Sequence, residues 1–470
     1  MEELRREQVT GGELLVCMLL ELVIVRIAYS IDRSKQAPLL STAAWAIILG
    51  ILLGFILISL SKDRARDVGM DPAILFFGLV PPIVMEAGFT TQHRGFFANF
   101  WDIFLLGVVG TVLSSIGVGT ALYWLGQTPL LDSVALSATE AMQYGALISS
   151  IDPIATQLVL RKSHVPSLLP ELIFGERSLN NAITIAIFNL CASHVLGGET
   201  QITFVNSIML LGELVATGAG SLILTVIVGF SSAFLLRVSD DALKQHPPYE
   251  ISILLLSAYS SYLAAEFCHL SGDVAIFFSG AFIRHYHMHN VSTTSATTFR
   301  YLLRTVAFLA ENFIFIYLGV SLFAYSDSFQ WEWRFIVTSL VVCLVVRALI
   351  VTPLCYIANL WRIHAIPFKY MIVIWFSGLR GAVAFALALN VSSTTASKDH
   401  AAIIRSATLF SVLSTTIPFT MLMRPLNLGD RTPLLSSSLE EEGTWIRDAW
   451  NEFDHHHLQP YFGHGGAARQ

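Results

Sequence analysis

Charge is what this sequence has least of. Asp, Glu, Lys and Arg make up 13% of its 470 residues against 54% hydrophobic, and the mean hydropathy is +0.63. A soluble globule carries about 25% charged residues, so a water-soluble fold is excluded and an all-α polytopic membrane protein is expected. Cysteine is scarce too. Cys17, Cys191, Cys268, Cys343 and Cys355 sit in apolar stretches at irregular spacing, which fits neither a disulfide framework nor a zinc site, and they read as small buried hydrophobes. A basic excess is also missing: the net charge of −6 excludes a nucleic-acid partner. The alternating ten-residue pattern of an outer-membrane barrel is absent. The N-terminus, MEELRREQVTGGE, is too acidic for a signal peptide, so the apolar run after it, interrupted by Glu21 and Arg26, reads as a retained first span.

A span needs about 20 mostly apolar residues. That rule predicts roughly thirteen helices, near 14–30, 41–60, 73–90, 101–125, 134–160, 168–196, 205–236, 250–267, 272–288, 300–323, 335–360, 368–390 and 402–423. From residue 130 onward one set of alternate loops holds Arg161, Lys162, Arg237, Lys244, Arg284, Arg300, Arg304, Arg362 and Lys369, which assigns that side, and the C-terminus, to the cytoplasm. Lys62, Arg64 and Arg66 fall on the other side. The transmembrane domain is expected over 1–424 and a short acidic cytoplasmic tail over 425–470. In the tail, Asp430, Leu434 and Leu435 match a D-x-x-x-L-L address read by clathrin adaptors. His455, His456 and His457 read as solvated, and His285, His287 and His289 as an interfacial belt rather than a metal site.

Against this apolar background the ionisable residues inside spans stand out, since each costs from about 2.5 kcal/mol upward in lipid and normally faces a protein interior. GALISSIDPIATQLVL carries Asp152-Pro153, and ELIFGERSLNNAITIAIFNL carries Glu176, Arg177, Asn180 and Asn181. WFSGLRGAVAFALALN carries Arg380 between Gly378 and Gly381. Proline removes a backbone donor and a glycine pair permits unwinding, so the Asp152 and Arg380 spans are predicted to be broken helices, one in each half of an inverted repeat. Glu86, Glu311 and Arg347 are further intramembrane charges. Buried arginines need carboxylate partners. Glu176 and Glu311 are therefore expected to pair with Arg380 and Arg347, Glu176 first for Arg380, in a structural role. Asp273 is expected to be wetted at a span end, with Glu213 and Glu266 at an interface or packed away from the pathway.

Six segments in order, PPIVMEAGF, ISSIDPIAT, FGERSLNNAIT, HLSGDVAIFFSGAFIRHYHMHNVS, TVAFLAENFIFIYLGVSLF and WFSGLRGAVAFALAL, resemble the monovalent cation/proton antiporters of the sodium/proton exchanger family, most closely its Golgi and endosomal branch. The resemblance runs from about residue 40 to 425. It implies an inverted-repeat antiporter fold, a homodimer in Golgi or endosomal membrane, and Na⁺, K⁺ and H⁺ as substrates. It further implies that Asp152 lies beside the ion site with Glu86 near it, and that Arg380 pairs with Glu176. The family's ion-binding aspartate comes in a G-E-S-x-x-N-D pattern. Here Asn180 keeps the asparagine, but Asn181 stands at the aspartate position and Arg177 at the serine position. These two are i and i+4 on one helix face. An amide offers oxygen to a cation but no proton to exchange, and a guanidinium stays charged.

The expectation is thus a cation/proton antiporter regulating lumenal pH and cation content, with Glu86 or Asp152 supplying the titrating carboxylate. The alternative is a transport-incompetent homologue acting as a regulatory or scaffolding subunit. No enzymatic activity, no cofactor, and no metal beyond transported Na⁺ or K⁺ is expected. An intramembrane aspartyl protease needs two aspartates on facing helices, and Asp152 and Asp273 stand in unsuitable contexts.

Overall fold

The computed structural model describes residues 2–34, 40–60, 75–90, 99–129, 131, 134–151, 168–196, 204–238, 241–324, 329–362, 365–378, 380–394 and 398–423. The Asp152-Pro153 step, the basic loop at 62–66 and the tail with Asp430, Leu434, Leu435 and His455 to His457 lie outside them. The described residues are helical, with no strand among them. In chain order the helices are α1 (Glu2–Arg33), α2 (Thr42–Leu60), α3 (Val80–Thr90), α4 (Phe100–Gly126), α5 (Ala138–Ser149), α6 (Leu168–Leu196) and α7 (Phe204–Val238). There follow α8 (Pro247–Phe267), α9 (Gly272–His285), α10 (Thr293–Ala324), α11 (Trp333–Ala358), α12 (Phe368–Phe376), α13 (Ala382–Thr394) and α14 (Lys398–Met423). The whole of α4 and α11, Gly212–Val238 of α7 and Thr293–Phe323 of α10 are each long and apolar enough to cross a membrane.

Contacts divide the chain into two units. One holds α1, α2, α4 from Phe104, α5, α6, α10 from Leu309, and α11 to α14. Its centre is built from the two short helices α5 and α13. A helix that is apolar all round must be buried all round, and α13 obeys: Ala384, Phe385, Ala386, Leu387 and Ala388 are all inaccessible. In α5 the polar residues Glu140, Gln143 and Ser149 are buried along with Tyr144 and Leu147. On the outside, α1 buries only a stripe through Cys17, Glu21, Ile24 and Ala28 and leaves Leu15, Met18, Leu19 and Leu22 uncovered, the one-sided pattern of a helix whose other face meets lipid. Close helix crossings use glycine for room. A Cβ at Gly50 would collide with the Ile316 carbonyl and one at Gly319 with the Ile47 carbonyl, so α2 and α10 pack backbone to backbone.

The other unit holds α3 from Pro81, α7, α8, α9 and α10 up to Phe308. Gly88 and Gly280 play the same part where α3 crosses α9, against the Phe277 and Met85 carbonyls. At the start of α10 the buried Glu250 carboxylate accepts from Ser292 N and Ser292 Oγ (2.7 Å), tying α8 to that helix end.

Three expectations need correcting. Asp273 is buried rather than wetted. It sits in the first turn of α9, just past the N-cap Ser271, where unpaired helix amides favour a carboxylate. Cys268 is exposed, unlike the other four cysteines, because it caps the end of α8. His287 is fully buried and bonds Ser232 across 2.8 Å, so it packs α9 against α7 instead of joining an interfacial belt. Among the described residues no group of three metal-ligating side chains occurs.

Candidate ion site

The predicted break at Asp152-Pro153 lies outside the described residues, but the helix that leads to it ends just before it, and Arg380, in the other predicted break, is described. Helix α5 stops at Ser149, and Ser150 (φ −59°, ψ 132°) and Ile151 leave the helix. The second break separates α12, ending at Phe376, from α13, starting at Ala382, with Arg380 inside it. Opening a helix in the interior strands backbone groups that must find partners. Here side chains supply them.

Asn180 serves the first break. Its Oδ1 accepts from Ile151 N at 2.9 Å, while its Nδ2 donates to Ser149 O at 3.0 Å and to Thr111 Oγ1 at 2.6 Å. Its neighbour Asn181 accepts from Ser150 Oγ at 2.9 Å. The two asparagines therefore hold the two residues that precede Asp152 in the sequence. Thr111 was not singled out in the sequence. It follows a single π-turn, Leu105–Val109, inside α4, and its hydroxyl donates to Gly107 O at 2.6 Å while receiving Asn180. Turns of this kind cluster at functional sites but carry no sequence signature; a hydroxyl in the run GVVGTVLSS was the signal available.

The arginines also serve the breaks, with partners other than those expected. Arg347, 4% exposed, pairs with Glu176, its Nη1 3.1 Å from Oε1. Its Nε donates to Trp375 O at 3.0 Å and its Nη2 to Ile374 O at 2.8 Å. These are end-of-helix carbonyls of α12, the orphaned and partly negative end of a half-helix. Gly378 is needed for this approach, since a Cβ there would overlap the Arg347 guanidinium. Room for an arginine, as well as freedom to unwind, explains that glycine.

Arg380 has no carboxylate within ion-pair distance among the described residues, which corrects its expected pairing with Glu176 or Glu311. Its side chain instead donates to Ser150 O at 3.3 Å and to Cys343 Sγ. The first of these is the C-terminal end of α5, so each buried arginine caps one helix end, Arg347 that of α12 and Arg380 that of α5, and Arg380 links the second break to α5. The backbone at Arg380 is satisfied by α14: its N–H donates to Thr415 Oγ1 at 3.2 Å and its carbonyl accepts from Thr416 Oγ1 at 3.1 Å.

Glu311, predicted to partner an arginine of α11 or the second break, bonds Arg177 instead, Oε1 to Nη2 at 2.5 Å. On α6 the polar residues thus form two stripes one turn long. Glu176 and Asn180 face a cavity of about 10 Å³, room for one water, which Thr111, Ser114 and Arg347 also line. Arg177 and Asn181 form the adjacent stripe, joined to α10 and to Ser150. Glu86 is half-buried on α3 in the other unit.

A family model described as the transmembrane part of sodium/hydrogen exchangers matches residues 21–426. Sodium/hydrogen exchanger 8 of Rattus norvegicus is 34% identical over 424 residues, covering 88% of this chain and 72% of that protein. The human sodium/hydrogen exchanger 8 is 32% identical over 421 residues, covering 88% and 71%. Sodium/hydrogen exchanger 2 of Oryctolagus cuniculus is 33% identical over 355 residues, covering 75% of this chain and 42% of that one. Among solved structures, the sodium proton antiporter MjNhaP1 from Methanocaldococcus jannaschii superimposes with a TM-score of 0.67 at 16% identity, covering 90% of this chain and all of that one; the likeness is one of fold. With a match over residues 21–426 and curated relatives above 30% identity, the chain belongs to the sodium/hydrogen exchanger family.

Proposed function

We propose that the chain is a secondary active transporter exchanging Na⁺ or K⁺ for H⁺ across a Golgi or endosomal membrane, as a thirteen-span inverted-repeat homodimer with its C-terminus in the cytoplasm. The observation that carries this reading is the meeting of the end of α5 with the break at Arg380: the Asn180-Asn181 pair holds Ser150 and Ile151, and Arg380 donates to Ser150 O. Opened backbone lined by amide and hydroxyl oxygens is the arrangement that replaces the water shell of a monovalent cation in transporters with broken helices. Asp152, next in sequence after this opened backbone, and Glu86 are the candidates for the proton-carrying carboxylate. The tail motif Asp430, Leu434, Leu435 is the candidate clathrin-adaptor address.

A second reading has an observation of its own. Asn181 carries no exchangeable proton at neutral pH, and the Arg177 guanidinium stands on the same face in an ion pair with Glu311. A fixed cation one turn from the site would repel Na⁺ and serve a transport-incompetent regulatory or scaffolding subunit. Cation uptake by purified protein in proteoliposomes, with and without an imposed pH gradient, separates the two. Uptake driven by the gradient supports exchange; its absence in correctly folded protein supports the scaffold.

A further inference from the structure

Away from the ion site, a titratable pair joins the first turns of two helices. Glu140 is the third residue of α5 and closes a reciprocal capping box: its N–H donates to Ser137 Oγ at 3.2 Å, and its Oε2 accepts from Ser137 N at 3.0 Å. The same Oε2 lies 3.0 Å from His400 Nδ1 in the first turn of α14. The two partners are exposed to different degrees. Glu140's side chain is 2% exposed, whereas His400's is 27% exposed and within reach of protons from the aqueous phase. The second oxygen of Glu140 is buried and has no hydrogen-bond partner among the described residues. A buried carboxylate in that condition depends on a nearby cation.

We propose that the Glu140–His400 contact is a pH-sensitive latch that fastens the start of α5, and through α5 the opened backbone at Ser150 and Ile151, to the start of α14. Other charges near His400 are few. Asp399, on its own helix, is held by Gln330 Nε2 at 3.1 Å. Packed against α14, the helices α2 and α13 contain no titratable side chain. Helix α11 brings Arg334, Cys343, Arg347, Cys355 and Tyr356, of which Arg347 is engaged by Glu176. The hydrogen bond to Glu140 holds the His400 imidazole above the ordinary 6.5, burial opposing it and the Glu140 and Asp399 charges adding to it. A raised histidine value means that the latch is complete below about 6.5 and is lost as pH rises through the higher value of the closed form. Because α5 is a helix of only twelve residues that ends at Asn180's partners, its anchorage bears on the site.

The test is amide hydrogen exchange of the full chain in lipid nanodiscs, followed in the first turn of α5 across pH and corrected for intrinsic exchange. It reads the latch whether or not the chain transports. In the parent, protection should fall by up to about tenfold per pH unit above the ordinary histidine value, the limit for one linked proton. His400→Gln should show no such dependence, and His400→Lys, a lasting cation, should stay protected throughout. A flat profile in the parent, or a parent-like profile in His400→Gln, overturns the proposal. Should His400→Gln not fold, His400→Lys decides alone: protection that still falls with pH overturns it.

Discussion

Arg177 on α6 is ion-paired with Glu311 on α10, two residues 134 apart in sequence, and the pair lies one helical turn from Asn181. Arg177 and Asn181 thus share one face of α6 and bond different neighbouring elements. Arg177 has a carboxylate partner of its own, and Asn181 has a hydroxyl donor in Ser150.

Placement one turn apart on one helix face predicts that the two positions are energetically coupled. If proton coupling depends on a carboxylate at position 181, as the second reading has it, Asn181→Asp alone should restore pH-driven cation movement only in part, because the guanidinium beside it holds the new carboxylate ionised and weakens proton competition. Arg177→Ser with Asn181→Asp should exceed the sum of the single changes. Uptake driven by a pH jump, measured for the parent, both singles and the double, checks this. Robust exchange in the parent would transfer the proton-carrying role to Glu86 or Asp152.

Arg347 should be the most costly arginine to remove. Arg347→Ala leaves Glu176 buried without its partner, which costs about 3–5 kcal/mol, and also releases the Ile374 and Trp375 carbonyls. Thermal unfolding in detergent should show a large drop, and pairing the change with Glu176→Leu should recover only part of it, since the end of α12 stays uncapped.

Gly378→Ala should resemble a milder Arg347 change, because the added methyl meets the guanidinium. Combined with Arg347→Ala it should cost less than the two changes summed. Additive losses in the same unfolding assay would show that the glycine acts on the break independently.

Asn180→Asp should destabilise despite being isosteric. The amide donates to Ser149 O and Thr111 Oγ1, and a carboxylate would set an acceptor against that carbonyl. Losing a buried, satisfied polar group costs about 1–3 kcal/mol. Asn180→Leu should cost at least as much, and limited proteolysis near Ile151 would reveal the loosened segment.

Arg380→Ala should lower folding yield together with any transport, because it uncaps α5 and unties the second break from it. Normal yield with normal flux would mean the arginine neither supports the breaks nor touches the pathway.

Much of the architecture was legible in the sequence because a membrane imposes simple rules on it. Length and hydropathy mark spans, and Pro or Gly beside a charge marks a break, so the helices and the interruption at Arg380 fall where composition puts them. The resemblance of six motifs indicated the family. Pairing was not legible. Glu176 and Glu311 were recognisable as partners for buried arginines, but Glu176 took Arg347, Glu311 took Arg177, and Arg380 took a carbonyl. Burial demands that each charge be compensated and says nothing about by whom; the choice depends on which helix faces present themselves across tens or hundreds of residues. Thr111 escaped for the same reason, being aimed by a π-turn. What the sequence alone determined was a membrane-embedded helical exchanger fold with a polar stripe at 177 and 181. Only the tertiary structure decided that two arginines cap the ends of α12 and α5 and that two asparagines hold the second of these, because orphaned backbone groups in a dry interior take whatever donor or acceptor packing brings within reach.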